Sequence, residues 1–224
     1  MALAFAGVTA LLAYLIGSIN SSVIISKLVF KKDIREEGSG NAGATNMLRT
    51  HGKLMGVLTL VIDTLKGVIC VALAMFISGF ITPATAAEEV YLIPSYKLIG
   101  GLFAVIGHNF PVFFGFKGGK GVATSLGVIL MLNWQVGVIV LVLAILIMAV
   151  TRYVSLGSIL AAVIYIAVDV SYMIFADRSV FLPELLFGFI MAALLIYRHR
   201  ANIERLKNGT ESKLGQKKKE DKSN

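Results

Sequence analysis

Seven apolar stretches, at about 3–29, 54–81, 97–116, 122–133, 135–151, 155–176 and 181–197, follow one another along the chain with polar loops between them. A helix rising about 1.5 Å per residue needs roughly 20 residues to cross a hydrocarbon core about 30 Å thick. Several of the stretches approach that length, so the chain reads as all-α and polytopic: an integral membrane protein, with one compact domain over residues 1–212. Composition agrees, since 57% of residues are hydrophobic and 15% charged, where a soluble domain carries about 25% charged. The first stretch lacks a basic leader, and its Gly17, Ser18, Asn20, Ser21 and Ser22 precede no passenger domain, so it reads as a retained span.

Residues 122–151 fit either one helix of about 45 Å or a hairpin turning at Asn133-Trp134-Gln135 with one short arm. Parity separates the two. If the polar motifs near 38–49, 117–124 and 198–209 share a site, an even number of spans must lie between each pair. The hairpin satisfies this and predicts about seven transmembrane helices, with the N-terminus outside and the C-terminus cytoplasmic. Arg152 then joins the three motifs on one face, leaving Lys97 and Arg178 opposite, an asymmetry that obeys the positive-inside rule.

The net charge of +8 is concentrated in the 27–53 loop (Lys27, Lys31, Lys32, Arg35, Arg49, Lys53) and from Arg198 onward. At a membrane surface this suits anionic headgroups and phosphates, and there is no soluble basic module to hold nucleic acid. The single Cys70 excludes an intrachain disulfide, and no metal or cofactor is expected. The tail 213–224 is charged, without an apolar face, and reads as disordered or lying near anionic lipid.

Three motifs carry the chemistry. In the first, Gly38-Ser39-Gly40-Asn41-Ala42-Gly43-Ala44-Thr45-Asn46 is followed by Arg49. The glycines let backbone N–H groups turn inward as an anion-binding nest, to which Ser39, Asn41, Thr45 and Asn46 add polar groups and Arg49 a guanidinium fork. In the second, Gly107-His108-Asn109-Phe110-Pro111 leads to Phe116-Lys117-Gly118-Gly119-Lys120-Gly121-Val122-Ala123-Thr124 and an apolar helix. This has the parts of a phosphate cradle, with close backbone approach, a Lys charge and a helix N-terminus. It is not a Walker A loop, because Phe114 stands where that motif needs glycine. The third, Arg198-His199-Arg200-Ala201-Asn202-Ile203-Glu204-Arg205, is expected to continue the last span as helix, with His199 and Asn202 on one face. Within the second span Asp63 and Lys66 lie three residues apart on one helical face, either as a structural ion pair or as support for the site.

At these residues the sequence resembles the bacterial acyl-phosphate:glycerol-3-phosphate acyltransferase family, in order and up to about residue 212. The resemblance implies a seven-helix inner (plasma) membrane enzyme whose site faces the cytoplasm. Such an enzyme transfers a fatty acyl group from acyl phosphate to glycerol 3-phosphate, releasing lysophosphatidate and inorganic phosphate in the first acylation of phospholipid synthesis. It makes Ser39, Arg49, Lys120, His199 and Asn202 candidate catalytic residues. The candidate substrate-binding residues are Gly38, Gly40, Asn41, Gly43, Thr45, Asn46, His108, Asn109, Lys117, Gly118, Gly119, Gly121, Thr124 and Arg205. Two anion cradles suit a reaction in which both substrates carry a phosphate, and an activated mixed anhydride can react through binding and oxyanion stabilisation without a strong base.

No histidine has Asp five positions on, so the His-x4-Asp signature of acyl-CoA-type glycerolipid acyltransferases is absent, although Glu204 stands at that spacing from His199. A transporter of phosphorylated solutes is the rival. It is disfavoured because the motifs cluster at one surface and no broken helices recur in corresponding halves.

Overall fold

A computed structural model describes residues 2–82, 86–175 and 182–216. Every regular element among them is helical: α1 (Ala2–Gly17), α2 (Ser21–Ile25), α3 (Ala44–His51), α4 (Lys53–Ser78), α5 (Ala86–Asn109), α6 (Val122–Leu132), α7 (Trp134–Thr151), α8 (Val154–Phe175), α9 (Leu182–Arg198) and α10 (Arg200–Lys207), with short tighter or looser turns elsewhere. Among the described residues five helical segments are long and apolar enough to cross a membrane, or six if α9 and α10, bent by 59°, count as one. The remaining apolar segment is α6, whose 11 residues rise only about 16 Å.

The chain breaks at Asn133, whose side chain caps α7 by accepting from the Val136 N–H. Lys120, just before α6, reaches Asn202, and Asn202 shares the Glu211 carboxylate with Ser155, just after α7. Both outer ends of the α6–α7 pair therefore lie at one end of the bundle, as the expected hairpin requires. Residues 207–216 lie at that end too, where Arg152 and Leu214 exchange backbone and guanidinium hydrogen bonds of 2.7 and 2.9 Å. Residues 217–224 and Arg178 lie outside the described residues.

Two expected helices differ from their sequence reading. The first stretch ends one helix at Gly17 and restarts at Ser21, capped by Asn20, so a polar break interrupts an apolar run. The third motif does not continue α9 straight, because the axis bends at His199. No proline or glycine is there. Anchors pull the two sides apart, with Arg198 bonded to the Gly118 and Gly119 carbonyls and Asn202 bonded to Glu211.

Close helix contact is made through glycine, as lipid-embedded bundles require when packing replaces the hydrophobic drive. A Cβ at Gly67 or Gly127 would strike the Thr124 or Thr64 carbonyl, locking α4 against α6. One at Gly107 would strike the Tyr14 carbonyl of α1, which seats the end of α5, and His108 with it, beside α4.

Candidate functional site

A cavity of about 450 Å³ opens at the motif end of the bundle and runs inward between α4, α6, α7, α8 and α9. Its mouth is lined by Ser39, Asn41, Gly43, Thr45, Asn46 and Arg49 from the first motif, His108, Lys120 and Gly121 from the second, and His199, Asn202 and Arg205 from the third. Its inner walls are mostly apolar, including Leu126, Ile129, Val140, Ala144, Met148 and Ala162, with Asp63, Ser125 and Ser158 among them, and Tyr165 lies deepest along α8. A polar mouth on an apolar throat suits a ligand with a charged head and a long chain.

In the first motif the turn is real but the nest is already filled. Gly38 and Gly40 take positive φ of 59° and 71°, where other residues are strained. The buried Asn46 amide fills the turn, accepting from the Ser39 N–H at 2.9 Å and donating to the Ile34 and Glu37 carbonyls. The Gly40 and Gly43 N–H groups are also spent, on Glu37 and Asn41. The donors left toward the cavity are those of α3's first turn, at Ala44 and Thr45, so the motif presents a helix N-terminus. Gly38 and Gly40 shape the turn without lining the cavity.

The second motif does the same from the other side. The Gly119 N–H bonds the His108 carbonyl at 3.2 Å, and the Arg198 guanidinium donates to the Gly118 and Gly119 carbonyls at 3.0 and 2.7 Å while lying over the Phe110 ring. A Cβ at Gly118 would strike the His108 carbonyl and Pro111, and one at Gly119 the His108 ring and the Ala42 carbonyl. These glycines are needed for close approach and do not line the cavity; Gly121, at φ 79°, does, and turns the chain into α6. Lys117 is exposed and outside the lining. Asn109 and Thr124 are fully buried beneath the loop, outside the lining, with unpaired side-chain atoms.

Lys120 reaches in from this loop and donates to the Asn202 side-chain oxygen. Burial, with the nearby Arg205, Arg198 and Arg49 charges against that of Glu211, pushes its ammonium down from 10.5 to about 8. The Asn202 amide is set in turn by Glu211, whose carboxylate accepts from Asn202 at 2.7 Å, Ser155 at 2.6 Å and Arg205 at 2.7 Å. Although burial opposes it, these donors hold the Glu211 carboxyl below its ordinary range. His199, 2% exposed, has Nδ1 at 2.9 Å from the Leu195 carbonyl, which can only accept, so Nδ1 carries a proton. Arg49 reaches across to the Ser212 carbonyl at 3.0 Å.

Sequence reasoning singled out neither Glu211, Ser155 nor Arg198 as working parts. The sole weak sign for Glu211 is that it stands alone as a carboxylate between Glu204 and Glu220 in a basic tail.

The family model described as glycerol-3-phosphate acyltransferase matches residues 7–209. A glycerol-3-phosphate acyltransferase of Nostoc sp. is 44% identical over 96% of this chain and 94% of its own, and one of Clostridioides difficile is 44% identical over 94% and 96%. The crystal structure of PlsY (YgiH), an integral membrane glycerol 3-phosphate acyltransferase in its glycerol 3-phosphate form, superposes with a TM-score of 0.78 at 38% identity, covering 94% of this chain and 96% of that one. Its lysphosphatidic acid form gives 0.75. With its motifs, helical bundle and cavity all accounted for, this chain belongs to the glycerol-3-phosphate acyltransferase family.

Proposed function

We propose that the protein transfers a fatty acyl group from acyl phosphate to the hydroxyl of glycerol 3-phosphate, yielding lysophosphatidate and inorganic phosphate. The observation that carries this is the cavity itself, in which two helix N-termini, Lys120, Arg49 and Arg205 line the mouth of an apolar throat. Each helix start offers unpaired N–H groups and a partial positive charge, so two phosphates can be held at one mouth while the chain lies in the throat. The glycerol oxygen attacks the acyl carbon, the bond from that carbon to the phosphate oxygen breaks, and the hydroxyl proton is released as inorganic phosphate leaves.

In this reading Arg49, Lys120 and Arg205 hold phosphate oxygens, with Ser39, Asn41 and Thr45 orienting the polar heads. His199 and Asn202 order the reacting groups at the throat's entrance. The chain crosses the bacterial inner membrane seven times, with α6 as a short arm and the site on the cytoplasmic side, which the basic motif end supports. The donor assignment is supported by the short polar segments between the spans, which leave little room for a soluble module that would dock a carrier protein or enclose an adenine nucleotide.

Purified protein given glycerol 3-phosphate and palmitoyl phosphate should form lysophosphatidate and release inorganic phosphate in equal amounts. A comparable kcat/KM with palmitoyl-CoA would overturn the donor assignment while leaving the acyltransferase.

A further inference from the structure

Asp63 and Lys66 lie about 15–20 Å along α4 and are 1% and 5% exposed, where a charge is costly unless fully paired. Lys66 has three protons and three acceptors around it: Asp63 Oδ1 at 2.9 Å, the Ile19 carbonyl at 3.0 Å and His108 Nδ1 at 2.9 Å. The Ile19 carbonyl is free for this because it sits in the break between α1 and α2, and Ser21, at the start of α2, donates to Asp63 Oδ1 at 2.9 Å. An ammonium donates and has no lone pair, so His108 Nδ1 must accept, and the proton of the neutral ring sits on Nε2.

That nitrogen lies against Gly119, where a Cβ would collide with it. Among the described residues it has no hydrogen-bond partner, and His108 lines the cavity beside Lys120. A structural ion pair needs no imidazole as third acceptor. Here the third acceptor belongs to a ring whose other edge faces the loop at the cavity mouth.

We infer that Asp63 and Lys66 are positioning residues that hold His108 as the Nε2–H tautomer, so that the ring presents a hydrogen-bond donor to the phosphate of glycerol 3-phosphate. The inference rests on the proposed reading of the cavity mouth. Asp63 Oδ1 lies 3.6 Å from Nδ1, so with Lys66 gone a shift of a few tenths of an ångström lets the carboxylate accept a hydrogen bond from an Nδ1–H. Replacing Lys66 by a neutral residue then favours the Nδ1–H tautomer and turns a lone pair on Nε2 toward the anion.

The experiment has two arms. Nitrogen NMR of ¹⁵N-histidine-labelled protein in detergent, with the His108 signals identified by their loss in His108→Gln, should show a protonated Nε2 and a bare Nδ1 in the unmutated chain. In Lys66→Met the pattern should invert, and KM for glycerol 3-phosphate should rise roughly 10- to 100-fold, the worth of one hydrogen bond to a charged group, with kcat changing far less. In a His108→Ala background Lys66→Met should add no further rise in KM.

If Lys66→Met does not fold, the Asp63→Asn/Lys66→Met pair leaves no unpaired buried charge and serves instead, with loss of the fixed Nε2–H pattern and the same rise in KM expected. A protonated Nδ1 in the unmutated chain, an unchanged tautomer in the variants, or an unchanged KM in folded variants would each overturn the inference. If the tautomers behave as stated but the unmutated protein does not acylate glycerol 3-phosphate, the proposed function fails and the tautomer assignment stands.

Discussion

Lys120 offers the sharpest test of the site, because its ammonium is held down from 10.5 to about 8, burial being the first cause. At about 1.4 kcal/mol per unit, that depression means the folded protein spends about 3 kcal/mol to keep the charge at neutral pH without phosphate. The sign for stability follows from the lowered value: the unfolded chain binds the proton more tightly, so this contribution improves as pH rises through 8 toward 10.5. Activity runs the other way. The pH profile of kcat/KM for glycerol 3-phosphate reports the free enzyme, so it should fall above pH 8 with a slope of one, about 100-fold by pH 10. In kcat the limb should move to higher pH, because a bound phosphate favours the ammonium.

Neighbouring charges supply internal controls. Glu211 raises the Lys120 value and Arg49 lowers it, so Glu211→Gln should move the midpoint down and Arg49→Gln should move it up, whatever each does to the rate. The assay is product formation from palmitoyl phosphate between pH 6 and 10, with donor hydrolysis measured in enzyme-free controls. Lys120→Arg should flatten the alkaline limb even if slower, since a guanidinium keeps its charge. A profile level to pH 10, or the same limb in Lys120→Arg, would refute the reasoning.

Glu211→Ala leaves Ser155, Asn202 and Arg205 without their shared acceptor and removes a nearly buried carboxylate, so it should cost about 3 kcal/mol of folding stability, read by thermal unfolding in detergent, and most of the activity. Gly119→Ala should raise KM for glycerol 3-phosphate by shifting the His108 ring, while Gly7→Ala, on α1 where nothing lies within 4 Å of the added methyl, should leave KM unchanged; equal values for both variants would remove the second loop from the binding site. For topology, cysteines placed at Glu36 and Gly215 should resist a membrane-impermeant reagent in intact cells and one at Glu88 should react, with the reverse pattern sinking the cytoplasmic assignment.

Hydropathy is local and additive, and helix length is arithmetic on it, so the helical membrane class, the break at Asn133 and the three motifs could be read from the chain. That those motifs share one site was the premise of the parity argument, and the hairpin over residues 122–151 was what followed from it. What the chain could not reveal is which polar groups are already spent. Asn46 looked like a ligand residue, yet its amide fills the turn that Gly38 and Gly40 make, and the motif's free donors lie at Ala44 and Thr45 instead.

Gly118 and Gly119 looked like phosphate contacts, but the space beside them is taken by His108 and Ala42. Glu211 gave almost no sign, because its meaning comes from Ser155, 56 residues away, and from Arg205 and Asn202 brought round by the bend at His199. The Asp63–Lys66 pair was visible as a cost, but its third partner, His108, lies 42 residues from Lys66 and is delivered by α5 packing on α1 through Gly107. Hydrogen bonds saturate and space is exclusive, so what a polar or small residue does depends on which distant atoms reach it first, and that is decided by the tertiary packing of the helices.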